Sequence, residues 1–254
     1  MAKLRAETLW DGAGLKLVLD APKANVLDAE MMAAIHEQLD GLARTPDVKL
    51  LVFEGEGSHF CFGASVPEHV KAKAPAMLDA FHGMFLKMID LAVPTAAVVR
   101  GQCLGGGMEL AIFCNWIFAS PDAKLGQPEI VLGVFPPPAS LILPMKLGQA
   151  RADHLCLTGE SWTAAQAQAA GLVHEVADDP WAALDAFARK HILPKSAASL
   201  RMGVRAARAA FDQTLRTMLP VVQKLYIEEL METADANEGI GAFLEKRKPA
   251  WRNR

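Results

Sequence analysis

Arg100-Gly101-Gln102-Cys103-Leu104-Gly105-Gly106-Gly107-Met108-Glu109-Leu110 is the stretch on which the reading of this chain turns. It follows an apolar run, Val93 to Val99, that reads as a strand, and it leads into an apolar helical run, Met108 to Phe118. Three consecutive glycines at a strand-to-helix junction cost backbone entropy on folding. They make sense where the backbone must approach another group closely and aim its N–H groups at it. The first turn of a helix has such N–H groups, because they have no partner inside the helix. Glu109 stands two residues past the last glycine.

The chain's 254 residues are 52% hydrophobic, enough for one large domain or a domain with an appendage. With 26 basic and 29 acidic residues its net charge is −3, which gives no reason to expect nucleic acid or an anionic membrane as the main partner. Cys61, Cys103, Cys114 and Cys156 form no Cys-x-x-Cys pair, and no histidine lies nearby at zinc-ligand spacing. They read as small buried residues in a reducing compartment, and no metal is expected. No apolar segment follows Met1 to Glu7 as in a signal peptide, and no stretch of about eighteen uncharged apolar residues spans a membrane. The expectation is a soluble cytoplasmic protein.

Strand and helix patterns alternate up to about residue 178. Leu4 to Trp10 and Leu15 to Leu19 flank the turn residues Asp11 to Gly14 and read as a hairpin. The run Ala21-Pro22-Lys23-Ala24-Asn25 breaks the pattern, and Asp28 then suits the N-cap of a helix to about Arg44. Val48 to Phe53 is a buried type of strand. Met77, Leu78, Phe81, Met84, Phe85, Met88 and Ile89 recur at helical spacing after Pro75, as core packing or as one wall of an apolar pocket. Lys124 to Val134 reads as irregular, and Pro136-Pro137-Pro138 excludes a central strand. Arg151 to Leu157 and Ala164 to Ala170 are helical, and Leu172 to Val176 is a last short strand. Beyond Asp178-Asp179-Pro180 the pattern is helical only: Trp181 to Ile192, Ser196 to Phe211, and about Thr214 to Asn237. The class is α/β with crossovers, divided into a core over 1–194 and a helical region over 195–254.

The glycine stretch is neither of the two common phosphate motifs. Gly101 and Gly106 have P-loop spacing, but Gly107 and Met108 stand where Lys and Ser or Thr are needed, and no Gly-x-Gly-x-x-Gly occurs. Cys103 is a weak nucleophile candidate, since only the distant His59, His82 or His154 would serve as its base. More telling is a second carboxylate in similar company: Gly126-Gln127-Pro128-Glu129-Ile130-Val131-Leu132-Gly133 sets Glu129 in an uncharged segment between turn residues. Two glutamates in apolar surroundings are candidates for raised pKa values and acid–base work. A third stretch, Phe60-Cys61-Phe62-Gly63-Ala64-Ser65, again frees a backbone N–H beside a glycine. Two such groups from separate loops make an oxyanion hole. The chemistry so assembled is a polarised carbonyl with proton transfer beside it.

These stretches resemble the crotonase (enoyl-CoA hydratase/isomerase) superfamily. The resemblance rests on Phe-x-x-Gly-Ala at 60–64, Gly-x-x-x-Gly-Gly-Gly-x-Glu-Leu at 101–110 and Gly-Gln-Pro-Glu-Ile-x-Leu-Gly at 126–133. Ala21 to Asn25, Leu157-Thr158-Gly159, Ala164 to Gly171 and Phe243 to Pro249 extend it over nearly the whole chain in order. It implies a ClpP-like spiral of ββα units, with a C-terminal helical region that trimerises and covers the active site. The assembly implied is a trimer or a dimer of trimers. The ligand implied is an acyl-CoA thioester, with no cofactor beyond the CoA that the substrate carries. The N–H groups of Ala64 and Gly106 would hold the thioester oxygen, and Glu109 and Glu129 match the two catalytic glutamates. Lys23, Ala24, Val26 and the backbone of Phe62 would lie near the adenine end, and Lys246 would reach the CoA phosphates.

The chain departs from the ordinary hydratase pattern after Glu129. Where that pattern reads Gly-x-x-Pro-Gly-x-Gly-Gly, this chain has Gly133-Val134-Phe135-Pro136-Pro137-Pro138-Ala139-Ser140, and Ser65 replaces the usual acidic residue after Gly63-Ala64. Ser65, Phe135, Pro136 and Pro137 are therefore expected to reshape the acyl pocket for a compact ring. The stretches 62–69, 100–107 and 132–140 resemble one subgroup, the cyclohexa-1,5-diene-1-carbonyl-CoA hydratases of anaerobic benzoyl-CoA degradation. That resemblance implies 1,4-addition of water, giving 6-hydroxycyclohex-1-ene-1-carbonyl-CoA. Straight-chain enoyl-CoA hydration or isomerisation is the alternative within the family, and two glutamates favour hydration. A non-catalytic, RNA-binding member would lack the glutamates or show a basic face; neither feature is present.

Overall fold

The computed structural model describes residues 3–21 and 23–254. Met1 and Ala2, at the start of the N-terminal segment read above, and Pro22 of the Ala21–Asn25 turn lie outside the described residues.

The chain opens with an antiparallel hairpin, β1 (Leu4–Leu9) and β2 (Gly14–Leu19), followed by α1 (Ala29–Leu42). The Asp28 side chain caps α1 by accepting from the Met31 N–H. Then come β3 (Leu50–Gly55), α2 (Ala74–Leu91), β4 (Thr95–Val99), β5 (Gln102–Leu104), α3 (Gly106–Phe113), β6 (Trp116–Ala119) and β7 (Lys124–Gly126). A 3-10 turn, Pro128–Leu132, leads to α4 (Pro137–Leu147) and α5 (Gln149–Thr158). β8 (Ser161–Thr163), α6 (Ala164–Ala169), β9 (Glu175–Val176) and α7 (Pro180–His191) precede three helices, α8 (Ala197–Ala207), α9 (Ala209–Lys224) and α10 (Ala234–Leu244). The strands form two sheets, β1-β2-β3-β4-β6-β9 and β5-β7-β8. Beyond the hairpin, every pairing of the larger sheet is parallel. This is the α/β crossover architecture expected from the alternating pattern.

The central strands β3, β4 and β6 of the larger sheet are buried on both faces, which explains why they read as largely apolar runs. Leu51, Phe53, Ala97, Val99, Ile117 and Ala119 face the main core with α1, α2 and α3. The alternate residues Leu50, Val52, Ala96, Val98 and Phe118 face Leu184, Ala188 and Ile192 of the α7 region.

Several boundaries differ from the sequence reading. Gly106 and Gly107 lie inside the helix, α3, with Gly105 as its N-cap, and the short β5 separates it from β4. The supposedly irregular 124–134 holds β7 and the 3-10 turn. Pro136 to Pro138 start a helix, since proline in the first turn gives up no intrahelical hydrogen bond. The helix expected over Ser196 to Phe211 breaks at Arg208, whose guanidinium donates to the Phe113 carbonyl at 2.9 Å and lies over the Phe113 and Phe211 rings. The one expected over Thr214 to Asn237 passes through a π-helical turn, Leu225–Glu229, and stops at Thr233, whose side chain caps α10 by accepting from the Ala236 N–H.

Leu184 is fully buried on the face covered by α7. Leu184→Ala is expected to lower the unfolding free energy by about 2–5 kcal/mol in chemical denaturation. A loss below about 1 kcal/mol would show that α7 does not close that face.

Candidate active site

Each of the three glycines faces a neighbour that a side chain would crowd. At Gly105 (φ +51) a Cβ would lie 2.6 Å from Glu129 Oε1; at Gly106, 3.1 Å from the Ala64 nitrogen and 3.2 Å from Phe81 Cζ; at Gly107, 2.6 Å from Cys61 Cβ. The positive φ of Gly105 adds a conformational reason to the steric one. The 61–64 loop is clamped to this backbone by Cys61 N–H to the Gln102 carbonyl (3.0 Å) and Leu104 N–H to the Cys61 carbonyl (2.9 Å). Ala64 and Gly106 are thereby brought side by side. Among the described residues, neither of their N–H groups has an acceptor.

Glu109, on the first turn of α3, is 3% exposed. Its Oε1 accepts from the Ala139 N–H at 2.8 Å. Ala139 is the third residue of α4. Pro137 and Pro138 before it have no N–H, so Ala139 offers the one donor of that helix's opening positions, and Glu109 takes it. Glu129 sits on the 3-10 turn Pro128–Leu132. The fully buried Gln127 amide lies against its carboxylate; with the nitrogen facing it, the amide donates to Oε1 at 3.2 Å and to Oε2 at 3.0 Å. Burial pushes the Glu129 carboxyl up to about 8. It pushes Glu109 well above the carboxylate range too, with repulsion from Glu129 as the second cause.

Both carboxyls line one pocket. Phe62, Ala64, Gly106, Phe135, Pro136 and Pro137 line it as well. Ser65 does not: its N–H donates to the Leu27 carbonyl and its own carbonyl accepts from Glu68 N–H and His69 Nδ1, which opens the 3-10 turn Val66–Glu68. Val66 and His69 form the wall expected of Ser65. Ala24 reaches the site through its carbonyl, which accepts from the Phe62 N–H at 2.9 Å; Leu27 N–H then donates to the Gly63 carbonyl at 3.0 Å. Lys23 and Val26, in that same segment, so run beside the 62–64 loop. Lys246 is exposed beyond α10 and does not line the pocket.

Three lining or supporting residues carry no role in the sequence reading. Gln127 braces Glu129. His69 commits Nδ1–H to the Ser65 carbonyl at 2.8 Å, which leaves Nε2 as its acceptor, and burial holds its pKa down. Tyr226 packs edge-on against Phe135, with ring centroids 5.3 Å apart. Gln127, as a polar residue inside the Glu129 motif, and His69, as the last residue of the 62–69 stretch, had a neighbourhood signal; Tyr226 had none. Cys103 is buried, its thiol pushed up by burial, and has no base: His59 accepts from Gln102 N–H, His82 contacts Gln223, and His154 contacts Glu160.

The family model described as enoyl-CoA hydratase/isomerase matches residues 13–254. The chain is 47% identical to cyclohexa-1,5-dienecarbonyl-CoA hydratase of Thauera aromatica, an alignment covering 96% of this chain and 95% of that one. It is 31% identical to 2,3-dehydroadipyl-CoA hydratase of Escherichia coli (strain K12), covering 94% and 95%. The crystal structure of an enoyl-CoA hydratase from Mycobacterium avium subsp. paratuberculosis K-10 superposes over 100% of both chains with a TM-score of 0.86 at 24% identity, which shows the fold.

The raised carboxyl pKa values carry a stability consequence with a definite sign. A carboxyl whose folded pKa lies above the ordinary 4.5 penalises the folded state only above that pH, and the penalty grows until the folded value is passed. Glu109→Gln keeps an oxygen for the Ala139 N–H and removes the charge. Its Tm is expected to exceed that of the native chain by several degrees at pH 8, at about 3 °C per kcal/mol, and the difference is expected to shrink towards pH 5. Thermal unfolding at the two pH values measures it; a lower Tm at pH 8 would contradict the burial cost.

Proposed function

The chain belongs to the enoyl-CoA hydratase/isomerase family and is a hydratase of acyl-CoA thioesters; from that premise we propose that its substrate is cyclohexa-1,5-diene-1-carbonyl-CoA. The product is then 6-hydroxycyclohex-1-ene-1-carbonyl-CoA, formed by 1,4-addition of water within anaerobic benzoyl-CoA degradation. The observation that carries this reading is the buried Glu109–Glu129 pair beside two partnerless N–H groups, in a pocket walled by Phe81, Phe135, Pro136, Pro137 and Tyr226. Rings and prolines leave a short, stiff acyl site that suits a flat ring better than a flexible chain. The 47% identity to the Thauera aromatica enzyme supports the same substrate.

In this reading the Ala64 and Gly106 N–H groups hold the thioester oxygen. Lys23, Ala24, Val26 and Phe62 receive the adenine end of CoA, and Lys246 serves the phosphates of a bound CoA, from a neighbouring subunit if need be. Water lies between the carboxyls. Glu109 takes a proton as the water oxygen bonds to the ring carbon β to the thioester. The negative charge moves through the ring to the thioester oxygen, where the two N–H groups stabilise it. Glu129 gives a proton to the far end of the diene, and the remaining double bond settles between the two former ones. The net change is one water added and one double bond lost. One proton shared by two repelling carboxyls supplies both a base and an acid. Met218, Val221, Leu225, Phe243, Leu244 and Trp251 are exposed in the C-terminal region and support assembly as a trimer or dimer of trimers.

A spectrophotometric assay comparing cyclohexa-1,5-diene-1-carbonyl-CoA with crotonyl-CoA tests the substrate, and the cyclic diene is expected to give the higher kcat/KM. Preference for crotonyl-CoA would favour straight-chain hydration. Glu109→Gln and Glu129→Gln are each expected to lower kcat by about two orders of magnitude or more while CoA-ester binding changes little. Near-native turnover in both variants would remove the acid–base roles.

A further inference from the structure

The pocket contains a buried hydroxyl that the protein itself leaves unused. Tyr226 is 1% exposed and lines the pocket together with Glu109 and Glu129. Among the described residues, its Oη has no hydrogen-bond partner. A buried hydroxyl left in this state destabilises the fold, and phenylalanine would avoid the penalty. Tyr226 stands on the π-helical turn Leu225–Glu229, and such turns inside α-helices gather at functional sites. Its ring packs edge-on against Phe135, which limits where the hydroxyl can point. Burial, reinforced by the charges of Glu129 and Glu109, opposes its ionisation, so the phenol stays protonated and remains a donor.

The proline run that also lines the pocket has no donor to offer a ligand. Pro136, Pro137 and Pro138 have no N–H, and the Ala139 N–H is committed to Glu109. In the ordinary hydratase pattern the position of Pro137 is a glycine, which keeps its N–H. A water poised between two carboxyls has four directions to satisfy. Its two hydrogens go to one oxygen of each carboxyl, and one lone pair attacks carbon. The second lone pair needs a donor. The Ala64 and Gly106 N–H groups are occupied by the thioester oxygen.

We propose that the Tyr226 hydroxyl donates to the reacting water, and in the reverse direction to the departing hydroxyl, making Tyr226 a third catalytic residue of the site. The proposal rests on the hydratase reading above. Tyr226 transfers no proton in either direction; its hydrogen bond fixes the oxygen in line with the ring carbon.

Tyr226→Phe in the full chain removes the one oxygen and keeps the ring. Steady-state kinetics use whichever of cyclohexa-1,5-diene-1-carbonyl-CoA and crotonyl-CoA the native protein hydrates faster. The variant is expected to lose at least about tenfold in kcat, with KM within about twofold of native. Its Tm is expected to equal or exceed the native value, because an unpaired buried hydroxyl is gone. A kcat within about twofold of native would overturn the assignment. So would a loss of kcat accompanied by a lower Tm, or a rise in KM at unchanged kcat. If the native protein hydrates neither thioester, the hydratase reading itself fails and this inference with it, an outcome read on the unaltered chain.

Discussion

The close approach of the Gly105–Gly107 backbone to the 61–64 loop and to Glu129 is the constraint on which the rest of the site depends. A Cβ at any of the three positions would crowd a different neighbour: the Glu129 carboxylate, the Ala64 nitrogen, or Cys61. The entropic cost of three glycines is thus the cost of bringing three segments, distant in the chain, within van der Waals contact. The same approach aligns two N–H groups and sets one carboxyl beside the other. Both faces of the parallel sheet are packed, so the segments that meet here stand on a rigid base.

Glu109 joins this junction to the acyl wall. It sits at the start of one helix and receives the leading N–H of another, so one carboxyl is tied to two helix N-termini. The prolines that stiffen the wall also strip it of competing donors. Stiffness of the wall and placement of the acid therefore come from the same residues, which accounts for a proline run where flexible glycine is the ordinary pattern.

The site was largely legible in the sequence because its chemistry is local: glycines at a junction, glutamates in apolar stretches, and prolines where glycines are usual. The fold class followed from alternating patterns. Strands β5, β7 and β8 were not legible, since three residues carry too little periodicity to stand out. The helix breaks at Arg208 and Thr233 come from tertiary contacts and a cap inside an otherwise helical pattern. Ser65 was misplaced because facing the pocket depends on how the turn after it folds. His69 and Tyr226 left no periodic mark, although Tyr226 is the chain's only tyrosine, a signal of composition rather than of pattern.

The hydrogen bond from Ala139 to Glu109 has a further consequence. A carboxylate at a helix start holds that helix by its charge, and the hold weakens when the carboxyl takes up a proton. The buried carboxyl of Glu109 is thus also the anchor of the proline segment that walls the pocket. The shape of the pocket and the placement of its carboxyl are consequently not separate in this molecule: a change made at the proline wall alters the seat of Glu109.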